Sequence, residues 1–147
     1  MVLKLEQHVA QEDIEILITY PQKNEIVERI ASFIKSTNTK IQGYSDEGVT
    51  LVNASDIYYV ESVDNKTIIC CEKKNYQVKE RLYQVYSKLS SIGFVQISKY
   101  CILNSYKLET IKSLSNSHLE AVLSNGIRLN VTRRFLADIK RVLQENE

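Results

Sequence analysis

Proline occurs once, at Pro21, and glycine only four times in 147 residues. So few chain breakers leave no long Gly/Pro-rich linker. Long apolar runs are missing too: none approaches the roughly 18–20 residues that cross a bilayer. Met1 to Ala10 mixes charged with apolar side chains and lacks the apolar h-region of a secretory leader. These absences predict a cytoplasmic protein. Cysteine appears three times, as Cys70, Cys71 and Cys101. An odd count without regular spacing argues against a disulfide framework. On a strand the adjacent pair would point to opposite faces, as small apolar residues of a reduced protein. The only histidines are His8 and His118, so no cluster supplies four zinc ligands, and no cofactor is expected.

Catalytic signatures are equally scarce. There is no G-x-S-x-G, P-loop, G-x-G-x-x-G or H-E-x-x-H. A Cys101–His118 dyad is conceivable, but each residue reads more simply as a packed or surface side chain. Glu61 and Asp64 read as solvated charges near a strand end rather than a carboxylate pair. An enzyme is not expected.

What is present describes a globular chain: 44% hydrophobic and 25% charged residues, ordinary values for a folded domain. A chain of this length can bury about 68–70% of its unfolded surface without a metal or disulfide staple. The net charge of +1 is unevenly spread. Residues 1–50 carry 5 Lys/Arg against 8 Asp/Glu, and residues 94–147 carry 8 against 5. An acidic front and a basic back suggest that only the C-terminal part meets a polyanion.

Ile14, Ile16 and Ile18 alternate with Glu15, Leu17 and Thr19, which predicts a strand at about 14–20 ended by Pro21. A helix follows at about 24–36, with Asn24 as N-cap, Glu25 and Glu28 in the first turn, and Ile26, Ile30, Phe33 and Ile34 on one face. Residues 1–42 therefore read as a β-α extension. From residue 43 onward short β-branched and aromatic runs alternate with turns. Strands are predicted at 40–44, 49–53, 57–63, 67–71, 76–78, 94–98, 101–103, 108–114, 119–123 and 127–131, with a short helix at about 80–89. The turns include Ser45 to Gly48, Asp64-Asn65, Ser115 to Ser117 and Ser124-Asn125-Gly126. In the last of these, Asn-Gly suits a type I′ hairpin. Thr132 is read as the cap of a final helix carrying Phe135, Leu136, Ile139, Val142 and Leu143 as its apolar stripe. Many short strands spaced by tight turns indicate a mainly β, antiparallel fold.

Basic residues cluster near the turns. Lys66 follows Asp64-Asn65, and Lys99 and Tyr100 interrupt the apolar run from Phe94 to Leu103. Arg133 and Arg134 open the last helix, where the dipole disfavours cations by roughly 0.3–1 kcal/mol. A guanidinium can hold a phosphate or read guanine O6 and N7, which gives Arg133 a reason to be there. For Arg134 an ion pair with Asp138 is an equal alternative.

Four stretches then resemble the LytTR DNA-binding domain in order and spacing. They are Asn53 to Ser62 (N-A-S-D-I-Y-Y-V-E-S), Tyr76 to Lys79 with the short helix, Phe94 to Asn104 (F-V-Q-I-S-K-Y-C-I-L-N), and Gly126 to Phe135 (G-I-R-L-N-V-T-R-R-F). The family patterns are I-x-Y-I-E-S, F-x-R-I-H-R-S-x-L-V-N and V-x-V-S-R-R, and the resemblance covers about residues 45–144. It implies an elongated arrangement of antiparallel sheets, with DNA read by loops rather than by a recognition helix. Carried onto this chain, the family contacts fall on Lys66, on Ser98 and Lys99 with neighbouring Tyr100, and on Arg133 with neighbouring Arg134. Lys107 and Arg128 are further phosphate candidates. Gln96 and Ser98 stand where the family often has arginine and histidine, and Tyr100 replaces a small residue, so base preference is expected to differ. Asn104 matches the family asparagine and is read as a turn former.

The resemblance implies a sequence-specific transcription regulator on promoter direct repeats. It implies double-stranded DNA as partner and self-association or two copies on DNA. With only about forty residues ahead of the match, a receiver domain is not expected. Relatives lacking one often pair with a membrane-anchored inhibitor protein, and residues 1–42 are the expected interaction or dimerisation unit. The alternative is a protein-binding β-module without DNA activity.

Overall fold

The structure is a computed structural model that describes residues 1–115 and 118–145. Residues 1–23 form no helix or strand and are exposed along almost their whole length. The strand expected at 14–20 is therefore not formed. Alternation fixes which side chains share a face, but a strand also needs a partner for its backbone N–H and C=O groups. The helix of the expected β-α unit is present as α1 (Glu25–Thr37). The Asn24 side chain accepts a hydrogen bond from the Val27 N–H at 2.9 Å, and Glu25 and Glu28 occupy the first turn.

Ten strands follow. Seven form one antiparallel sheet in the order β2-β1-β5-β4-β3-β7-β6, from β1 (Lys40–Ser45), β2 (Gly48–Asn53), β3 (Ile57–Val63), β4 (Lys66–Cys71), β5 (Asn75–Val78), β6 (Phe94–Ser98) and β7 (Cys101–Asn104). Helix α2 (Leu82–Leu89) joins β5 to β6. A second sheet, β10-β9-β8, holds β8 (Leu108–Ser113), β9 (Leu119–Leu123) and β10 (Arg128–Val131), and α3 (Leu136–Glu145) ends the described chain. The fold is mainly β with short helices, as expected. Two of the three residues of the expected 115–117 turn, 116 and 117, lie outside the described residues.

The large sheet is covered on both faces. One core joins Ile57, Val60, Ile69 and Ile102 to Val85 and Leu89 of α2. The other joins Ile97 and Leu103 to Ala121, Leu123 and Val131 of the small sheet and to Ile139 of α3. Strands buried on both faces read as continuous apolar runs rather than alternating ones, which accounts for Thr67 to Cys71. Cys70 is buried and Cys71 and Cys101 are half-buried, all three as free thiols. Burial pushes the Cys70 and Cys71 thiols up to about 11 and Cys101 up to about 12. An activated nucleophile needs the opposite shift, and His118 is exposed just before β9.

Helix α1 is fastened to the sheet by one tyrosine. The Tyr106 hydroxyl donates to the Arg29 carbonyl oxygen at 3.0 Å and also meets the Ser32 hydroxyl. Phe33 packs edge-on against its ring at 5.1 Å, and the Arg29 guanidinium lies 4.3 Å from the ring centroid. The ring crosses Gly93, where φ is +99° and an added Cβ would meet Tyr106 Cε2 at 2.3 Å. Asn104, read as a turn former, is buried. Its Oδ1 accepts from the Tyr106 N–H at 3.0 Å, and its Nδ2 donates to the Ile57 carbonyl oxygen at 2.9 Å.

One turn differs from the sequence reading in kind, and a second, read only as a turn, takes the type expected of the first. At Ser124 to Gly126 only Gly126 has positive φ, the Gly126 N–H reaches the Leu123 carbonyl oxygen, and the Leu123 N–H reaches the Ile127 carbonyl oxygen. That is a three-residue loop closed by a left-handed glycine, not the two-residue type I′ turn expected from Asn-Gly. The paired positive φ of a type I′ turn occurs instead at Asp64 (51°) and Asn65 (64°), which join Val63 to Lys66.

Candidate nucleic-acid interface

Strand register decides which basic residues become neighbours. Antiparallel pairing of Val63 with Lys66, Thr67 with Val78, Glu61 with Cys101 and Ser98 with Cys101 puts the β3–β4 turn, the end of β5 and the β6–β7 turn at one end of the large sheet. The Ser62 N–H donates to the Tyr100 carbonyl oxygen at 2.8 Å, tying the first of these turns to the third. Lys66 thus stands beside the Lys99-Tyr100 turn although 33 positions separate Lys66 from Lys99 in the chain.

The C-terminal basic pair is brought to the same end by a different device. Thr132 gives both its N–H (2.9 Å) and its hydroxyl (3.2 Å) to the Ile97 carbonyl oxygen on the edge strand β6. Thr132 is therefore not the cap of the final α-helix. A 3₁₀ turn, Arg133–Phe135, intervenes and α3 starts at Leu136. The threonine clamp fixes the point where the chain leaves the small sheet, and Arg133 and Arg134 follow it directly. Asp138 pairs with Arg141 at 3.6 Å rather than with Arg134, whose guanidinium lies 5.5 Å from the Phe135 ring centroid.

The β6–β7 turn is rigidified from within. Ser98 Oγ accepts from the Tyr100 N–H at 3.2 Å, and Gln96 Nε2 donates to the Ser98 carbonyl oxygen at 3.0 Å. A register shift between Gln96 and Ser98 bends the strand into the turn. Ser98 and Gln96 thus have local structural work here. Tyr100 is 57% exposed, with the Lys99 ammonium 5.5 Å from its ring centroid. Lys66, Lys99, Arg133 and Arg134 are all exposed. Among the described residues neither Lys66 nor Lys99 is within ion-pair distance of a carboxylate.

Two residues named from the sequence lie elsewhere. Lys107 follows the far end of β7, with its ammonium 4.9 Å from the Tyr58 ring centroid. Arg128 begins β10, four residues before the Thr132 clamp, and pairs with Glu120 at 3.5 Å. Conversely, Lys79 and Arg81 follow β5 and share the end that holds Lys66. Sequence reasoning passed over them because only the Thr67–Val78 register makes them neighbours of that turn.

This is the geometry against which relatives can be set. The model of the LytTr DNA-binding domain matches residues 47–144, two thirds of the chain. The chain belongs to the LytTR family. Among curated relatives, an uncharacterized HTH-type transcriptional regulator of Staphylococcus aureus (strain MSSA476) is 25% identical over 145 residues, 97% of this chain and 98% of the relative. The sensory transduction protein LytT of Bacillus cereus is 25% identical over 116 residues, 76% of this chain and 47% of its own length. The chain thus spans about half the length of the LytT relatives that it matches. A solved LytTr DNA-binding domain of a Bacillus cereus response regulator superimposes with a TM-score of 0.66 at 21% identity, over 71% of this chain and 96% of that one. The fold is therefore the LytTR fold, and the domain is of the DNA-binding kind. The three turns gathered above all lie within the matched LytTR region. No helix is long and apolar enough to cross a membrane among the described residues, and no group of three His, Cys, Asp or Glu is placed to hold a metal ion.

Proposed function

We propose that this LytTR protein is a sequence-specific transcription regulator that reads promoter direct repeats through turns inserted in the major groove. The observation that carries the reading is the backbone linkage of three basic turns at one sheet end, through Ser62–Tyr100 and Thr132–Ile97. Lys99 and Arg133 take base edges. Lys66 and Arg134 take phosphates, with Lys79 and Arg81 extending the same basic end. Tyr100 packs against the sugar–phosphate backbone, and Ser98 holds the reading turn in shape. Phosphate contacts position a protein and base contacts specify its site, so the two groups have different signatures.

The deciding experiment is an Arg133→Ala gel shift on the protein's own promoter. Loss of about 1–3 kcal/mol with relaxed preference at one base position is expected. Unchanged affinity and discrimination would remove Arg133 from the reading set. Elution from DNA-cellulose only at raised salt separates this reading from a protein-binding β-module. Residues 1–42 serve as an interaction unit, for self-association or for a membrane-anchored inhibitor, and the working compartment is the cytoplasm. Residues 1–20 carry four Asp/Glu against one Lys, a balance unfavourable to DNA that supports that division of labour.

A further inference from the structure

The two edges of the large sheet are treated differently. The β6 edge is occupied by Thr132, whose N–H and hydroxyl take the Ile97 carbonyl. The β2 edge, Gly48-Val49-Thr50-Leu51-Val52-Asn53, is the terminal strand and carries no charge, no proline and no register shift against β1. Val49 and Leu51, which share a face by the two-residue repeat, are 56% and 64% exposed. Folded proteins blunt such edges with lysine, proline or bulges, because an unprotected one pairs with another strand.

A segment suited to that edge lies in the same chain and is unpaired. Ile14, Ile16 and Ile18 alternate with Glu15, Leu17 and Thr19, and Ile14 is 84% exposed. Laid along β2, the isoleucines would share the face of Val49 and Leu51. Glu15 would then fall on the opposite face. A groove of about 390 Å³ lies against residues 50–53, and its lysines, Lys73, Lys74 and Lys107, share it with Asp56 and Glu72. Asp13 would join Glu15 on the opposite face and Glu12 the isoleucine face, so the apolar alternation, not charge, sets which side of the segment meets Val49 and Leu51. Asn53, at the end of β2, also lines the groove, and its buried Oδ1 finds no donor among the described residues.

We propose that residues 12–19 of a second copy of this chain add as a strand to the β2 edge, and that two copies exchange these segments reciprocally. The proposal rests on the reading of the N-terminal region as an interaction unit and is independent of the DNA-reading end. Backbone hydrogen bonds along β2 supply the affinity, and the exposed Val49/Leu51 face supplies the preference for the isoleucine face of the segment.

Sedimentation velocity of the full chain tests it. The expected mass is about twice 17.0 kDa at micromolar concentration. Leu51→Lys and Ile16→Lys, both at exposed positions, should each return the mass to 17.0 kDa with unchanged circular dichroism. Mixing the two variants should restore a dimer, because the intact segment of the first still fits the intact edge of the second. A dimer that survives either substitution overturns the proposal. So does a chain that is monomeric at every concentration, and so does a mixture that stays monomeric, which would mean that the segment folds back on its own β2. Each monomeric variant should keep the wild-type affinity for a single DNA site, so failure of the DNA reading is scored separately.

Discussion

Salt dependence gives the proposed DNA-reading end a quantitative test. Each phosphate neutralised by a cation releases condensed counterions, and the slope of log K against log salt is about −0.9 per contact. The four phosphate contacts of the proposal, Lys66, Lys79, Arg81 and Arg134, lie at the sheet end that the Ser62–Tyr100 and Thr132–Ile97 hydrogen bonds hold together. Four such contacts predict a slope of about −3.6, a fall of roughly 150-fold in affinity between 50 and 200 mM salt. Removing the phosphate contact of Lys66 should reduce the slope to about −2.7 and the fall to roughly 40-fold, while leaving discrimination between sequences intact. Lys107 provides the internal control. It has the same charge but sits beyond the far end of β7 against Tyr58, so Lys107→Ala should leave the slope unchanged. Fluorescence anisotropy on a labelled operator duplex at four or five salt concentrations measures all three proteins. Equal slopes for Lys66→Ala and wild type, or a reduced slope for Lys107→Ala, would mean that DNA lies against a different surface.

Three further outcomes follow from the packing. Asn104→Ala strands the Ile57 carbonyl and the Tyr106 N–H and opens a small void, so it should cost about 2–4 kcal/mol in urea unfolding; a change below about 1 kcal/mol would show that water replaces both bonds. Gly93→Ala places a methyl against the Tyr106 ring at a backbone angle that alanine rarely adopts. It should destabilise the protein by about 2–4 kcal/mol, with hydrogen exchange in α1 accelerated more than in β3; uniform acceleration would count against a local effect through Tyr106. The thiols make a pH prediction. The folded pKa values of Cys70, Cys71 and Cys101 are raised from 9.0 to about 11, 11 and 12. The unfolded chain therefore loses these protons first, and the stability that the neutral thiols contribute is intact below pH 9 and lost as pH rises from 9 towards 12. At pH 10 the loss is about 1 kcal/mol per thiol. A triple Cys→Ala variant should lack this portion of the alkaline decline, and an identical decline in both proteins would refute the assignment.

The core and most strand positions were readable because β-branched residues and turn formers sit at regular intervals. Asp64-Asn65 and Gly126 mark reversals that the structure contains, although their turn types are exchanged relative to the dipeptide rule. Asn125 keeps ordinary φ because its side-chain oxygen instead accepts from the Ile127 N–H at 3.1 Å. Long-range partnership was not readable. The alternation at 14–20 says which side chains share a face but not whether a neighbouring strand exists. Thr132 looked like a helix cap because threonine before a helical pattern usually is one; its hydroxyl is drawn instead to a carbonyl on the edge of β6. The placement of Lys79 and Arg81 beside Lys66, and of Lys107 away from it, depends on register across β4, β5 and β7, which no local pattern encodes.

Among the described residues, the cations of the α-helices bear on the proposal that turns rather than a helix meet DNA. The first turn of α1 carries Glu25 and Glu28, and its Arg29 is engaged with Tyr106. The last-turn cation of α2, Lys88, pairs with Glu80 at 2.9 Å. In α3, Arg141 pairs with Asp138, and Ile139 and Val142 are buried, Ile139 in the core shared with the small sheet. A recognition helix needs a basic, uncommitted face standing clear of the body, and Arg29, Lys88 and Arg141 are engaged with Tyr106, Glu80 and Asp138. The basic side chains at the strand ends, Lys66, Lys99, Arg133 and Arg134, are exposed. Turns impose little on side-chain identity beyond their φ requirements, so a sheet whose reversals meet at one end can change its reading residues without disturbing either core. Gln96, Ser98 and Tyr100 stand where the LytTR pattern has other residues, and all three sit in or beside the β6–β7 turn, whereas Ile97, Ile102 and Leu103 around them are fully buried.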